Sequence, residues 1–566
     1  MPVPSAAEPV WRQFEPKLVT VLREGYSLAR FRNDAIAGLT VAVVALPLAM
    51  ALAIASGAAP EKGLHTAIIA GFLISALGGS RVQIGGPTAA FIPVVFSVIQ
   101  HHGYGGLILC TLLAGLMLIA AGLLRLGALM KFMPQPVITG FTAGIAVSIF
   151  SSQIKDALGL RMGAVPGEFL PRWQAYFSHL DSLQPATLAL TALGLAVILV
   201  LRRWRPNWPG FLLALLACTL AALALALPVD TIGSRFGTLP AALPALSLPQ
   251  IPLDRITELL PSAFTIAFLA GVESLLSAVV ADGMTGRRHR SNAELIAQGA
   301  ANVGSALFGG LPATGAIART ATNIRAGGTT PMAGILHAVL LLVFMLALAP
   351  VLRYIPLAAL AAILLMVAWN ISEVETFKRT LSAPKGDRLV LLLTFGLTVA
   401  FDLTVAIEAG LVVAAFVFMF RMAETVEVSS GLQLLGSEES DNPDDARQRQ
   451  RLPKDTEAFQ INGPLFFGTS GRLDDLLGRF RSPPKVFILR MRLVPMIDAS
   501  GVHALKGLVT RCRKREITLI LSGLQGQPAR VLAQMDIADA GNVHLVGDFD
   551  AAVALAERLT APAPPA

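Results

Sequence analysis

Charged residues and cysteines are scarce in this chain of 566 residues. Asp, Glu, Lys and Arg make up 14% of it, against roughly 25% in soluble proteins, and 54% of its residues are hydrophobic. This composition excludes a soluble globular protein and predicts that most of the chain lies in a lipid bilayer. The cysteines, Cys110, Cys218 and Cys512, are too few for a disulfide framework or a metal cluster, so we expect no metal and no cofactor.

The sequence also begins without the features of a signal peptide. Residues 1–34 carry five Lys and Arg residues and no apolar run before a cleavage site, so we interpret them as a cytoplasmic tail. The net charge of the chain is +8, and its basic residues stand in short clusters between apolar runs, as in 202–205 and 287–290. This is the pattern of cytoplasmic loops, not of a nucleic-acid interface. We expect a bacterial inner-membrane protein with both termini in the cytoplasm.

Apolar segments of helix length recur over residues 35–421, which we interpret as a membrane-embedded transport domain. There are about fourteen of them, so the sequence predicts an α-helical polytopic membrane protein. Their predicted bounds are 35–55, 63–79, 87–99, 105–124, 137–154, 186–201, 210–227, 259–281, 293–308, 316–325, 332–350, 355–369, 389–401 and 403–420.

Two stretches rich in glycine and proline, 82–88 and 309–315, lead into the shortest segments. Short, interrupted segments at corresponding places in two halves of a chain indicate the substrate site of an inverted-repeat transporter. We therefore expect two half-helices whose positive N-terminal ends face a common cavity, an arrangement that suits an anion.

Five residues at the two half-helix starts are the predicted anion-binding groups. Thr88 offers a hydroxyl, and backbone N–H groups are available around Ala89 and around Ala316 and Ile317. Arg319 follows within about one helical turn, and an arginine so far from the end of a membrane segment indicates a functional site. The alternative is a structural arginine bound to carbonyl groups.

A carboxylate near the middle of segment 259–281 is the predicted proton-coupling group. Glu273 could bind and release a proton there, and Ser277 lies one turn later on the same face. Alternatively, Glu273 pairs with Arg319 and holds two helices together. Glu408 is a weaker second candidate, and Glu294 is expected to be solvated or paired at the membrane interface beside the basic loop.

The composition changes after Arg421. Residues 422–455 are charged and lack apolar periodicity over most of their length, so we interpret them as a linker. Over 456–560 the strand-like runs 458–461, 486–491 and 517–521 alternate with amphipathic stretches at 470–481, 501–514 and 527–537, which predicts a small α/β domain. Residues 561–566 are a Pro- and Ala-rich tail.

Several motifs in this order resemble one known family. They are Pro47-Leu48-Ala49-Met50-Ala51, Gly86-Pro87-Thr88-Ala89-Ala90, Glu273-Ser274-Leu275-Leu276 and Arg319-Thr320. The chain resembles the SulP (sulfate permease) anion transporters from about residue 31 to 560, including a C-terminal STAS domain. The resemblance implies a 7+7 inverted repeat with a core domain of segments 1–4 and 8–11 and a gate domain of segments 5–7 and 12–14. It also implies elevator-like movement of the core and a homodimer.

The resemblance extends to the substrate and the coupling ion. Leu48 and Leu52 stand where many family members have Gln and Tyr, and this part of the sequence is most similar to the bacterial C4-dicarboxylate branch, which carries succinate, fumarate or aspartate. Sulfate or bicarbonate is the alternative substrate. Glu273 replaces the Asp of sodium-coupled relatives, and Ile317 stands where a hydroxyl would help bind Na⁺, so protons are the expected coupling ion.

The turn Ile497-Asp498-Ala499-Ser500-Gly501 resembles the phosphorylated turn of STAS proteins. Ser500 stands at the modified position and is a candidate regulatory phosphosite, and the alternative is that the turn only caps a helix. The STAS domain could bind a regulatory protein or a nucleotide. An alternative of another class is therefore a membrane-bound signalling protein that acts through this domain and does not transport.

Overall fold

The computed structural model describes residues 10–128, 133–163, 165–205, 208–237, 240, 242, 246, 255–401, 403–424, 426–430, 452–468, 477, 483–536 and 541–561. The chain forms two compact units, 1–414 and 415–566. The helices of the membrane-embedded part are α1 Lys17–Arg23, α2 Leu28–Ala55, α3 Pro60–Leu77, α4 Ile92–Leu123, α5 Gln135–Leu158, α6 Phe169–Ser178, α7 Pro185–Trp204, α8 Gly210–Ala224, α9 Ile232–Phe236, α10 Ile256–Thr285, α11 Ser291–Leu307, α12 Ile317–Arg325, α13 Met332–Leu352, α14 Leu357–Ile371, α15 Val374–Leu381, α16 Lys385–Ala400 and α17 Leu403–Glu424.

Each of the fourteen predicted apolar segments corresponds to a helix, which confirms the predicted polytopic fold. The third and fourth segments are the two halves of α4, which bends at Gly103, where φ is +70°. The other segments are α2, α3, α5, α7, α8, α10 to α14, α16 and α17. Within the described ranges, eight helices are long and apolar enough to cross a membrane by themselves.

The first helix of the membrane part begins earlier than the sequence indicated. α2 starts at Leu28 and not near Ala35, because the Ser27 hydroxyl caps it by accepting a hydrogen bond from the Arg30 N–H at 3.3 Å. Asp34 therefore lies inside a helix, where it is buried and accepts a hydrogen bond from the Thr329 N–H at 2.8 Å. Part of the predicted tail is thus packed against the segment between α12 and α13.

The helices pack in two groups that match the expected core and gate. α2, α3, α4 and α10 to α13 pack against one another, and α5, α7, α8, α14 and α16 form the second group. Small residues allow close approach between helices of the core. A Cβ atom on Gly299 of α11 would lie only 2.5 Å from the Gly115 carbonyl oxygen of α4, so the two backbones are in direct contact.

The second unit contains the predicted α/β domain. Its sheet has the order β3 Glu427–Ser430, β4 Thr456–Asn462, β5 Val486–Leu493, β6 Thr518–Ser522 and β7 Val543–Val546. β3 is antiparallel to β4, and the other neighbouring strands are parallel. The three predicted strands are confirmed as β4, β5 and β6. β3 was missed, because it lies in the sequence interpreted as linker.

Three helices of this unit are α18 Ala499–Lys514, α19 Gly526–Gln534 and α20 Phe549–Thr560. The first two confirm the amphipathic stretches predicted at 501–514 and 527–537. The stretch predicted at 470–481 lies outside the described residues except for Leu477, and so do most of the linker and of the tail. Val502, Leu505 and Leu508 of α18 are fully buried, which explains its amphipathic sequence.

Candidate functional site

The two Gly/Pro-rich stretches meet in the core domain. β1 Gly85–Gly86 pairs with β2 Thr314–Gly315 in antiparallel register, and all four residues are buried. The pairing of β1 with β2, called the strand crossing below, requires glycine at two positions. Gly86 has φ +150°, and a Cβ atom there would lie 2.4 Å from Arg319 Nη1, whereas a Cβ atom on Gly315 would lie 1.5 Å from Gln83 Nε2.

A half-helix follows each of these strands. After β1, a short 3₁₀ turn, Ala89–Phe91, continues into the first half of α4, which ends at the bend at Gly103. After β2, α12 begins at Ile317. The two half-helices begin where the glycine and proline interruptions predicted them, and the short sheet that holds their starts together was not predicted. Both places therefore present the unpaired N–H groups of a helix start.

The backbone at the second start is partly occupied. The Ala316 N–H donates to the Ile84 carbonyl at 2.8 Å and so belongs to the strand crossing. The N–H groups of Ile317 and the following Ala318 belong to the first turn of α12, where no intrahelical acceptor exists. At the first start, Ala89 and Ala90 occupy the equivalent places.

Thr88 and Glu273 are brought into direct contact. The Thr88 hydroxyl donates to Glu273 Oε2 at 2.9 Å. Thr88 is buried, and Glu273 is partly exposed. The hydroxyl therefore does not cap its own helix but joins the start of the α4 half-helix to the middle of α10. The sequence offered a pair between Glu273 and Arg319 as the structural alternative for Glu273, and it did not predict the contact with Thr88.

Arg319 is buried under the first strand. Its Nη2 donates to the Pro87 carbonyl at 3.1 Å, and only 3% of the residue is exposed. Its Nε and Nη1 have no hydrogen-bond acceptor among the described residues. The charges of Arg319 and Glu273 interact, but the two side chains form no ion pair in that part of the chain. A buried guanidinium with unused donors is costly, which is the condition that an anion would relieve.

Ser277 and Glu408 lie elsewhere. The Ser277 hydroxyl donates to Thr320 Oγ1 at 3.3 Å, and the same oxygen accepts from the Ile84 N–H at 3.1 Å. Ser277 thus connects α10 to α12 and to the strand crossing. Glu408, the weaker candidate, is exposed on α17.

Sequence reasoning misplaced one residue near Glu273, which is Glu294, and missed the roles of two others, Ser274 and Gln83. Glu294 was expected at the interface, but it is fully buried, because its carboxylate accepts hydrogen bonds from Gly79, Ser80, Ser274 and Gln298. Gln83 Nε2 donates to Ser274 Oγ at 2.8 Å. A signal for Glu294 was present, because the residue lies inside predicted segment 293–308 and not in the basic loop.

A cavity of about 390 Å³ opens among the ends of α5, α7, α8 and α9, away from these residues. Two of its three cationic side chains, Lys155 and Arg235, already have partners. Lys155 Nζ donates to the Met162 and Gly163 carbonyls at 3.0 Å, and Arg235 Nη1 donates to Asp156 Oδ1 at 2.8 Å. The cavity shares no lining residue with the strand crossing, and we do not assign the substrate to it.

In the second unit, the turn around Ser500 is a helix cap. Asp498 Oδ1 accepts a hydrogen bond from the Gly501 N–H at 2.7 Å at the start of α18. Ser500 is exposed in the first turn of this helix, so its hydroxyl is accessible. The geometry supports the structural role of the turn, and phosphorylation of Ser500 stays a prediction.

Two half-helices whose starts are joined by a short sheet, in the core of a polytopic helical fold, are typical of a membrane transport protein. Residues 31–394 match the sulfate permease family, and residues 450–548 match the STAS domain. The chain belongs to the sulfate permease family.

Two similar proteins support this assignment, and one solved structure shows the same fold. The chain is 42% identical over 527 residues to "Putative sulfate transporter YvdB" of Bacillus subtilis (strain 168), covering 93% of this chain and 96% of that one. It is 31% identical to "Bicarbonate transporter BicA" of Synechocystis sp. (strain ATCC 27184 / PCC 6803 / Kazusa), covering 90% and 91% of the two chains. The structure of the murine Slc26a9 anion transporter in the inward-facing state has the same fold, with a TM-score of 0.85, 18% identity and coverage of 98% and 96%.

Proposed function

We propose that this protein is a secondary active transporter that moves a small oxyanion, sulfate or bicarbonate, together with protons. The observation that carries the proposal is the Thr88–Glu273 hydrogen bond at the start of one half-helix, with Arg319 buried beside it. The anion binds at the first-turn N–H groups of Ala89 and Ile317, near the Arg319 charge. Glu273 carries the coupling proton.

The charges of the site favour a small anion. Each helix N-terminus is equivalent to roughly half a positive charge, so two of them and Arg319 supply about two positive charges. With Glu273 ionised the sum is about one, which suits a monoanion such as bicarbonate. With Glu273 protonated it is about two, which suits a dianion such as sulfate. Proton binding and anion binding therefore favour each other.

Thr88 makes this coupling chemically possible. Its hydroxyl donates to the ionised Glu273 carboxylate and can rotate to accept a hydrogen bond from the protonated form. The same pair can therefore be satisfied in both protonation states. Because Thr88 begins the half-helix that binds the anion, a change at Glu273 acts directly on the anion site.

The relatives support sulfate or bicarbonate. The C4-dicarboxylate substrate that the sequence resemblance suggested has no counterpart in the names of the relatives reported above. Family membership also favours movement of the core past the gate, a homodimer, and cytoplasmic termini in the inner membrane, which we include in the proposal.

The test is uptake into proteoliposomes that contain the full-length protein. Labelled sulfate, bicarbonate and succinate are compared under an inward proton gradient, with and without a protonophore and with sodium replaced. We expect concentrative uptake of sulfate or bicarbonate that the protonophore abolishes. Glu273→Gln should lose it, and Glu408→Gln, which removes an exposed carboxylate on α17, should not.

Sodium-dependent uptake that survives the protonophore would contradict proton coupling. Preferred uptake of succinate would return the substrate to the dicarboxylate class. Absence of uptake for all three anions would favour the signalling protein.

A further inference from the structure

A second carboxylate of the core, Glu294, is bound more completely than Glu273. Oε1 accepts from Ser274 Oγ at 3.0 Å and from Gln298 Nε2 at 2.8 Å. Oε2 accepts from the backbone N–H groups of Gly79 at 2.9 Å and Ser80 at 3.2 Å. The residue has no exposed surface.

These partners tie the Glu294 side chain to two elements. A carboxylate offers about four acceptor positions, and four donors fill them. Oε2 is held by the backbone N–H groups of Gly79 and Ser80, in the loop that precedes β1. Oε1 is held by Gln298 of its own helix and by the Ser274 hydroxyl of α10. Glu294 therefore joins the loop before β1 to α10.

The Glu294 network reaches both sides of the Thr88–Glu273 contact. Ser274, which donates to Glu294, is the residue directly after Glu273 on α10. The Ser274 oxygen accepts from Gln83 Nε2 at 2.8 Å, and its carbonyl accepts from the same nitrogen at 3.3 Å. Gln83 and Thr88 lie on either side of β1, in the stretch that leads to the half-helix. The Ser274 hydroxyl of α10 thus contacts both Glu294 of α11 and Gln83, which lies before β1.

We propose that Glu294 is a positioning residue, which fixes the rotation of α10 through Ser274 and thereby holds Glu273 against Thr88. The inference rests on the proposed proton-coupling role of Glu273. The basic side chains near the two carboxylates are Arg319 at Glu273 and His289 at Glu294. In the part of the chain that the structure describes, neither of them forms an ion pair with that carboxylate, and His289 Nδ1 lies 2.7 Å from Asp282 Oδ2 instead.

A change at Glu294 need not unfold the core. The loop that it binds has an independent backbone tie, because the Arg290 N–H donates to the Gly79 carbonyl at 2.9 Å. Ser274→Ala is milder still, since it removes a single hydroxyl from a helix and keeps the Gln83 contact with the Ser274 carbonyl.

The experiment measures the pH profile of uptake into proteoliposomes for Glu294→Gln and Ser274→Ala, with labelled sulfate or bicarbonate, whichever the wild type accumulates. Thr285→Ala is the matched control, because the Thr285 hydroxyl lies on the same helix and bonds to the Ala281 carbonyl of that helix at 2.7 Å. In Glu294→Gln and Ser274→Ala, we expect the midpoint of the pH profile of uptake to move by about half a pH unit or more, which is roughly a threefold change in proton affinity. Thr285→Ala should keep the wild-type midpoint.

A lower thermal stability with an unchanged pH midpoint in Ser274→Ala would overturn the positioning role, because it would show a purely structural contact. If Glu294→Gln does not yield folded protein, Ser274→Ala alone decides. Glu273→Gln separates the two hypotheses. A pH dependence that persists in Glu273→Gln refutes the coupling role itself, whereas a flat profile there with a wild-type midpoint in Ser274→Ala refutes only the positioning role.

Discussion

Thr88 and Glu273 are separated by 185 positions in the sequence, and the hydroxyl of the first donates to the carboxylate of the second at 2.9 Å. This bond joins the beginning of a half-helix, where an anion would bind, to a protonatable group on α10. Nearby, Arg319 donates to the carbonyl of Pro87, the residue before Thr88. Arg319 thus contacts Pro87, and Glu273 contacts the side chain of the next residue, Thr88.

Removal of the Thr88 hydroxyl should change the proton dependence of transport. A hydrogen bond to a charged group contributes about 1.5–3 kcal/mol, and its loss disfavours the ionised Glu273 carboxylate. We expect Thr88→Val to move the midpoint of proton-driven uptake upward by about one pH unit or more, and Thr88→Ser to restore it. The measurement is initial uptake rate against external pH. Equal midpoints in Thr88→Val and Thr88→Ser would exclude the hydroxyl from coupling.

Replacement of Arg319 should weaken anion binding. Charge-assisted hydrogen bonds of about 1.5–3 kcal/mol correspond to roughly a 10- to 150-fold change in affinity. Arg319→Ala should raise the apparent KM by an amount in this range, and Arg319→Lys should raise it less, because the charge remains. Arg325→Ala is the control, since Arg325 is exposed at the end of the same helix. An unchanged KM in Arg319→Ala would assign the arginine to structure only.

The strand crossing should not tolerate a side chain at Gly315. A Cβ atom there would lie 1.5 Å from Gln83 Nε2, so Gln83 would have to leave Ser274. Overpacking of this kind costs about 1–3 kcal/mol, and we expect Gly315→Ala to lower the thermal unfolding midpoint and to abolish transport. Gly283→Ala on α10 has open space within 4 Å and should be neutral or stabilising. Wild-type stability and transport in Gly315→Ala would contradict the observed crossing.

Cys512 in the second unit should resist alkylation. Burial raises the pKa of its thiol from 9.0 to about 11. At neutral pH the thiol is therefore protonated and buried, and reagents that alkylate thiolates should react with it only after unfolding. Above pH 9 the unfolded chain loses this proton first, so stability that is present at neutral pH should decrease as the pH rises towards 11. The rate of Cys512 alkylation as a function of pH, in the full-length chain with Cys110→Ser and Cys218→Ser, measures both the protection of the thiol and the decrease in stability. Rapid labelling at pH 7 would contradict burial.

The membrane fold and the two half-helices could be predicted from the amino-acid sequence. Hydropathy is a property of consecutive residues, so fourteen segments could be identified without knowledge of their packing. The glycine and proline interruptions at 82–88 and 309–315 likewise mark the helix starts locally. Three strands of the second unit, β4, β5 and β6, followed from the sequence pattern. β3 and β7 were missed, and the place of β3 beside β4 depends on a pairing across the linker.

The contacts between side chains of the site could not be predicted in this way, because they depend on how the helices pack. Thr88 contacts Glu273, Arg319 contacts Pro87, and Ser274 joins Gln83 to Glu294, and all of these contacts cross between segments far apart in the sequence. The sequence interpretation placed Glu294 at the interface, because the residue lies close to the basic loop 287–290. The folded chain instead surrounds that carboxylate with four donors, which replace water and permit its burial.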